Sequence, residues 1–344
     1  MGYRPGVTHD SIFGASGDSW PKSDHEARRF MAARIARCTI VDSAAIETDR
    51  YGRGDDPAEL LEPEIIEGIA FRSIAVGDPD TPRHHTGFAG FLDGTQSIGI
   101  VSQVDGIPIV WGTVAAAVRV RVERRLVSWP RSVPALERRF YVPFRYLGDL
   151  SADMKRDSRV VDTGTADSQG KFPSRHPAAL MESAVQRVGQ DRERLERRLA
   201  ETWCDTEDAV LYVDGSITSS AVASASRMAV GVIKSHRRLY AGGDAFGVLA
   251  GLDAGERSSV FRVSPRSRSA VASWYLRVRK PAGRDALFGL VRVEAAETDD
   301  IHIRASEISR WILAEGAPLS LPDSRWDKMA YGVRDTEEFL RAIS

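Results

Sequence analysis

Two segments of the chain end an apolar run in Asp-Gly followed by a hydroxyl residue. They are Phe88-Ala89-Gly90-Phe91-Leu92-Asp93-Gly94-Thr95 and Val210-Leu211-Tyr212-Val213-Asp214-Gly215-Ser216. Each places a carboxylate at or near the end of a buried strand, where the backbone turns. Two such carboxylates from neighbouring strands, joined by a helix glutamate, suit a two-metal phosphodiester hydrolase. In such an enzyme divalent cations roughly 3.5–4 Å apart clamp the attacking and leaving oxygens. Mg²⁺ and Mn²⁺ take oxygen ligands and keep waters, so few protein carboxylates suffice. Glu182, early in the helix before the second aspartate, is the natural third ligand, with Glu193 and Glu196 competing for the role. A fourth acid would come from the C-terminal region. Asp-Gly is also a common turn, and Asp105-Gly106 reads as one; the apolar strand before Asp93 and before Asp214 sets those two apart.

The elements that must position these groups follow from periodicity. Helical spacing runs over His25–Val41 and again over Ala58–Ala70, whereas the first 24 residues are polar and Gly/Pro-bearing. From residue 87 the texture turns to strand: Gly90 leads into Asp93, Ser97–Val104 continues extended, Asp105-Gly106 makes a hairpin turn, and Ile107–Val122 returns. Residues 151–176 form a polar insertion without periodicity. A long helix follows, with Pro177 in its first turn and a stripe of Met181, Val185, Val188, Leu195, Leu199 and Trp203. The strand Ala209–Val213 delivers Asp214. Trp274–Val278 and Leu287–Val293 read as paired strands, and Ser306–Ala314 and Asp335–Ile343 as helices. This order predicts an α/β fold: a mixed sheet flanked by helices, with a strand delivered through a helical crossover. Residues 1–86 form a largely helical N-terminal extension and 87–344 the domain that carries the acids.

Bulk properties bound the function. The 47 basic and 48 acidic residues nearly cancel, so nucleic-acid binding has to come from local patches. The two cysteines, Cys38 and Cys204, cannot build a disulfide framework or a cysteine zinc site, and fit a reducing cytoplasm. Neither a signal-peptide layout nor a membrane-spanning apolar run is expected, so the protein reads as soluble and cytoplasmic. There is no phosphate-binding Gly-x-x-x-x-Gly-Lys-Ser/Thr loop, and energy for moving along DNA would come from a partner. Arg119–Arg125, Arg138-Arg139-Phe140-Tyr141, Arg262–Arg268 and Trp274–Lys280 mix cations with rings, as a single-strand channel does. Solvated strand edges with core aromatics have the same composition. His84-His85 reads as a plain loop.

Taken in order, these motifs resemble the NurA nucleases, partners of HerA-type hexameric ATPases in DNA end processing. Asp93-Gly94-Thr95 matches the family's first Asp-Gly-Ser, Glu182 its helix glutamate, and Asp214-Gly215-Ser216 its second Asp-Gly. Val230-Gly231-Val232-Ile233-Lys234 matches a Val-Gly-Val-x-Lys segment. Tyr275-Leu276-Arg277 and Arg292-Val293-Glu294 match an aromatic-x-Arg strand and an Arg-x-Glu strand. Pro318-Leu319-Ser320-Leu321 leads to Trp326-Asp327-Lys328, making Asp327 the fourth acid. Thr95 replaces the usual serine, and the Tyr-Pro-rich turn is reduced to Ala317-Pro318-Leu319. Spanning residues 87–344, the resemblance implies an RNase H-like fold and Mn²⁺- or Mg²⁺-dependent cleavage of DNA. Asp93, Glu182, Asp214 and Asp327 would be metal ligands, and Lys234 a cation for phosphate. It further implies a homodimer docked on a HerA-type ATPase, acting in end resection or phage defence. Two rivals stand beside it: a catalytically inert RNase H-like adaptor that binds DNA or the ATPase, and a nuclease of RNA or RNA–DNA hybrids.

Overall fold

The computed structural model describes residues 20–35, 38–40, 58–77, 86–123, 125–148, 154–167, 170–265, 268–280, 286–316 and 330–344. The protein is α/β, with a large mixed parallel and antiparallel sheet flanked by helices. Among the described residues no helix is long and apolar enough to cross a membrane. The chain divides into two compact units. The first comprises Met1–Asp55, Gln96–Val114 and Leu136–Arg192; the second comprises Asp56–Thr95, Ala115–Ala135 and Glu193–Ser344. This division does not follow the boundary expected at residue 86.

In the first unit, Asp105 and Gly106 turn the hairpin with φ of 49° and 78°, the backbone an Asp-Gly pair accepts most readily. Cys38–Ile40 pairs antiparallel with Ser102–Val104. The helix Asp24–Arg34 begins at Ser23, whose hydroxyl caps the Glu26 amide, and buries Ala27, Phe30 and Met31. These pack with Trp111, Phe140 and Leu180 in one apolar cluster. The helix is shorter than its predicted span to Val41, and Cys38–Ile40 is a strand. Inside the polar 151–176 segment, Val160–Asp162 pairs parallel with Phe140–Val142, a strand too short to show a period.

The second unit carries the acids. Its strands run in the order Glu64–Ile65, Phe261–Val263, Val271–Arg277, Leu290–Ala295, Ala229–Ile233, Val210–Asp214 and the strand that begins at Phe88. Ala229–Ile233, Val210–Asp214 and Phe88–Leu92 are mutually parallel; Leu290–Ala295 and Val271–Arg277 are antiparallel to their neighbours. The predicted helix over Ala58–Ala70 is absent. Pro63 and Gly68 interrupt it, and Glu59–Leu61 and Glu64–Ile65 are short strands instead. Ser73–Ala75 pairs with Glu256–Ser258. Within residues 58–77, Glu64–Ile65 and Ser73–Ala75 thus join the large sheet, and Glu59–Leu61 pairs with Arg238–Tyr240 in a separate two-stranded sheet.

A bulge at Ala89 brings Phe88 onto the same face as Phe91 and Tyr212. That face is covered by the helices Ile301–Glu315 and Tyr331–Ile343, and its cluster includes Val230, Trp274, Ile308, Ile312 and Val333. Gly90 gives its place to Trp203 of the long helix Pro177–Thr206: a Cβ there would lie 2.6 Å from the indole.

Candidate active site

Val213 pairs with Leu92 in the parallel register between the two Asp-Gly strands. The next residue on each strand is Asp214 and Asp93. Successive side chains alternate across a strand, and adjacent strands lie about 4.8 Å apart. The two carboxylates therefore emerge side by side on one face. Asp214 closes its strand as expected. Asp93 does not, since the strand runs unbroken from Phe88 to Val104 and Asp93 sits within it. Gly94 donates its amide to Asp93 Oδ1 at 2.7 Å.

Asp93 is 7% exposed. Its carboxyl is held well above the ordinary range, first by burial, then by the charge of Asp214 beside it; Lys234 offsets part of this and Glu196 adds to it. Lys234, just past the strand Ala229–Ile233, places Nζ 2.7 Å from Asp214 Oδ1, with both side chains mostly covered. Tyr212, fully buried two residues before Asp214, has its phenol pushed up by burial and by Asp214, Glu315 and Asp93.

The helix glutamate that reaches this place is Glu196. Its Oε1 occupies the space a Cβ on Gly94 would need. Glu182, the residue the resemblance favoured, is exposed and lies about four turns earlier on the same helix. Glu193 is also exposed and faces Arg268 at 3.5 Å. Asp327, the expected fourth acid, and His84-His85 lie outside the described residues. The structure thus sets Asp93, Asp214 and Lys234 together, places Glu196 on the Gly94 side of the strand near enough for its charge to act on Asp93, and leaves Glu182 out.

These residues fit a divalent cation in donor chemistry and charge. All the donors are carboxylate oxygens, and the charges of Asp214 and Glu196 both act on the buried Asp93 against that of Lys234. As the side chains stand, no three His, Cys, Asp or Glu among the described residues converge to hold a metal ion. Asp214 is turned toward Lys234, and that contact would have to loosen.

Arg292 pairs with Glu294 as the strand motif allows, but the link from Glu294 to the turn behind Asp214 was not legible in the sequence. Glu294, fully buried, accepts from Ser216 Oγ at 2.8 Å and from the Ile217 amide at 3.0 Å, and Arg292 pairs with its other oxygen at 2.8 Å. The hydroxyl two residues after the aspartate was the available signal. Most basic residues proposed for a strand channel are instead engaged in the fold. Arg119 donates to Asp335 at 2.8 Å, and Arg121 holds Glu315 through two bonds of 2.8 Å. Arg262 pairs with Glu64 and Glu297. Arg277, of the aromatic-x-Arg strand, donates to the carbonyls of Leu249, Ala250, Leu252, Ala286 and Phe288.

No family model matches the chain, and no curated protein sequence does either.

Proposed function

We propose that this protein is a divalent-metal-dependent nuclease of RNase H-like type, similar to the NurA nucleases, that hydrolyses DNA. The observation that carries the reading is the Leu92–Val213 register, which sets Asp93 beside Asp214 on adjacent parallel strands. Asp93, Asp214 and Glu196 are the residues that would hold Mn²⁺ or Mg²⁺. When bound, the cation supplies Lewis acidity toward a phosphodiester and its attacking water. The chain's own contribution is positional and electrostatic. Burial holds Asp93 in place beside the like charge of Asp214. Lys234, released from Asp214, offers a cation to a phosphate oxygen. Drawn from the resemblance, the wider setting is a homodimer feeding on DNA delivered by a HerA-type ATPase in end processing or phage defence, within the cytoplasm.

The adaptor reading is favoured by one observation: Lys234 already neutralises Asp214 at 2.7 Å, an arrangement that serves a fold without metal. Both readings meet the same experiment. Labelled single-stranded DNA, duplex DNA, RNA and hybrid are incubated with Mn²⁺, Mg²⁺ or EDTA, using wild type, Asp93→Ala, Asp214→Ala and Glu196→Gln. Metal-dependent DNA cleavage lost in all three variants supports the nuclease. Cleavage confined to RNA or hybrid moves the substrate, and no cleavage of any substrate favours the adaptor.

A further inference from the structure

We infer that Glu294 is a positioning residue that fixes where the Asp214 carboxylate stands, by anchoring the turn that follows it. The inference rests on the nuclease reading for its functional consequence and on the geometry of the turn for its existence.

Glu294 lies between two small residues in the sheet, Gly231 on one neighbouring strand and Ser273 on the other. A Cβ on Gly231 would fall 2.7 Å from the Gly215 carbonyl oxygen and 3.2 Å from the Ile217 nitrogen. Because Gly231 has none, the chain leaving Asp214 folds down over that position and reaches the Glu294 carboxylate. Gly215 makes the bend at φ 134°, a conformation that excludes most side chains, and its amide donates to the Val232 carbonyl at 3.0 Å. Two residues on, Ser216 Oγ and the Ile217 amide both donate to Glu294 Oε2. The Ser216 and Thr218 hydroxyls lie 2.8 Å apart, and the Thr218 carbonyl accepts from the Ser269 amide at 3.0 Å. The turn is therefore pinned immediately after the carboxylate and again two residues later.

A carboxylate with no exposure is costly unless its charge and lone pairs are met. Arg292 meets the charge and the turn meets the lone pairs, so the buried ion and the turn geometry are mutually dependent. A neutral residue would fill the same volume without directing the Ser216 hydroxyl and the Ile217 amide to one point. Residues that orient a ligand in this way typically change metal affinity or activity by about 10- to 100-fold when removed.

The test uses the full chain and Mn²⁺ alone as probe. Wild type, Glu294→Ala, Glu294→Gln and, as a fold control in the same unit, Glu67→Gln are compared. Readouts are melting temperature, amide hydrogen exchange at Ile217, and Mn²⁺ affinity by calorimetry. In Glu294→Ala, Ile217 exchange should accelerate and Mn²⁺ affinity should fall about 10- to 100-fold. Glu294→Gln keeps an oxygen acceptor and should lie between, which carries the test if the alanine variant fails to fold. Glu67→Gln should lose thermal stability while keeping wild-type Mn²⁺ affinity and Ile217 exchange. Unchanged Ile217 exchange in the folded Glu294 variants overturns the inference, as does wild-type Mn²⁺ affinity. Should wild type bind no Mn²⁺, the nuclease reading fails, and the Ile217 exchange alone then decides the role of Glu294 in the turn.

Discussion

Glu196 stands where a side chain on Gly94 would be. The absence of a Cβ one residue after Asp93 opens the space through which the helix carboxylate approaches the strand. Glu196→Gln should therefore abolish metal-dependent cleavage by more than the about 10- to 100-fold typical of a supporting residue, whereas Glu182→Gln should cleave like wild type. Initial rates on single-stranded DNA with Mn²⁺ check this; equal losses in the two variants would remove Glu196 from the site.

Asp93 should be a stability liability in the absence of metal. Its carboxyl is held high by burial and by Asp214, so ionisation at neutral pH works against the folded state. Asn is nearly isosteric and retains an oxygen for the Gly94 amide. Asp93→Asn should raise Tm in EDTA by a few degrees, on the order of 1 kcal/mol, while removing cleavage. A Tm below wild type in chelator would contradict the electrostatic account.

Acid should weaken the second unit through Glu67. Burial raises this carboxyl, but the two bonds from Arg257, at 2.6 and 2.8 Å, and that charge overcome it, leaving the group below its ordinary value. A depressed carboxyl adds stability that is complete above the unfolded value of about 4.3 and is lost as pH falls through the folded one. Glu67→Gln should flatten this acid limb. At pH 7 it should cost toward the lower end of the about 3–5 kcal/mol seen when one partner of a buried pair is removed, since Arg257 is left behind. Urea melts between pH 3 and 7 would show an unchanged slope if the pair does not matter.

Two glycine substitutions should fail in different ways. A methyl on Gly332 meets the ring of Phe91, which is fully buried and cannot retreat, so Gly332→Ala should destabilise by about 1–3 kcal/mol. The same change at Gly94 meets the far end of a flexible glutamate. Gly94→Ala should fold with near-wild-type Tm yet lose Mn²⁺ affinity as Glu196 is displaced. Chemical denaturation paired with Mn²⁺ titration separates the two; similar Tm losses would erase the distinction.

The strand-borne half of the site was legible because an apolar run ending in Asp-Gly-Ser/Thr carries both its element and its carboxylate in consecutive letters. The helix-borne half was harder. Glu182 fits the motif order, whereas the packing stripe points to Glu196. Glu196 lies three residues before Leu199 and seven before Trp203, on the stripe that packs. With Trp203 over Gly90, seven helix residues span about 10.5 Å and the four strand residues to Gly94 about 13 Å, so Glu196 lands near Gly94. What the sequence did not disclose was which glycine accepts the tryptophan. The helix expected at Ala58–Ala70 failed for another reason: its leucines and isoleucines satisfy a helical period, but Pro63 and Gly68 break the helix and the pieces pair at sheet edges instead. The Glu294 anchor depends on a contact 78 residues apart in sequence, and its local signal, the Ser216 hydroxyl, does not name the partner.

The backbone on either side of the two aspartates is unlike, and this gives the site one fixed jaw and one adjustable jaw. Asp93 sits within a 17-residue strand that continues well beyond it, so moving it means moving the strand. Asp214 is the last residue of a five-residue strand and hands over at once to a glycine bend. Small changes in the four residues after Asp214 can therefore alter the gap between the carboxylates while the core stays as it is. The spacing of this jaw is a separately tunable setting, located in the bend.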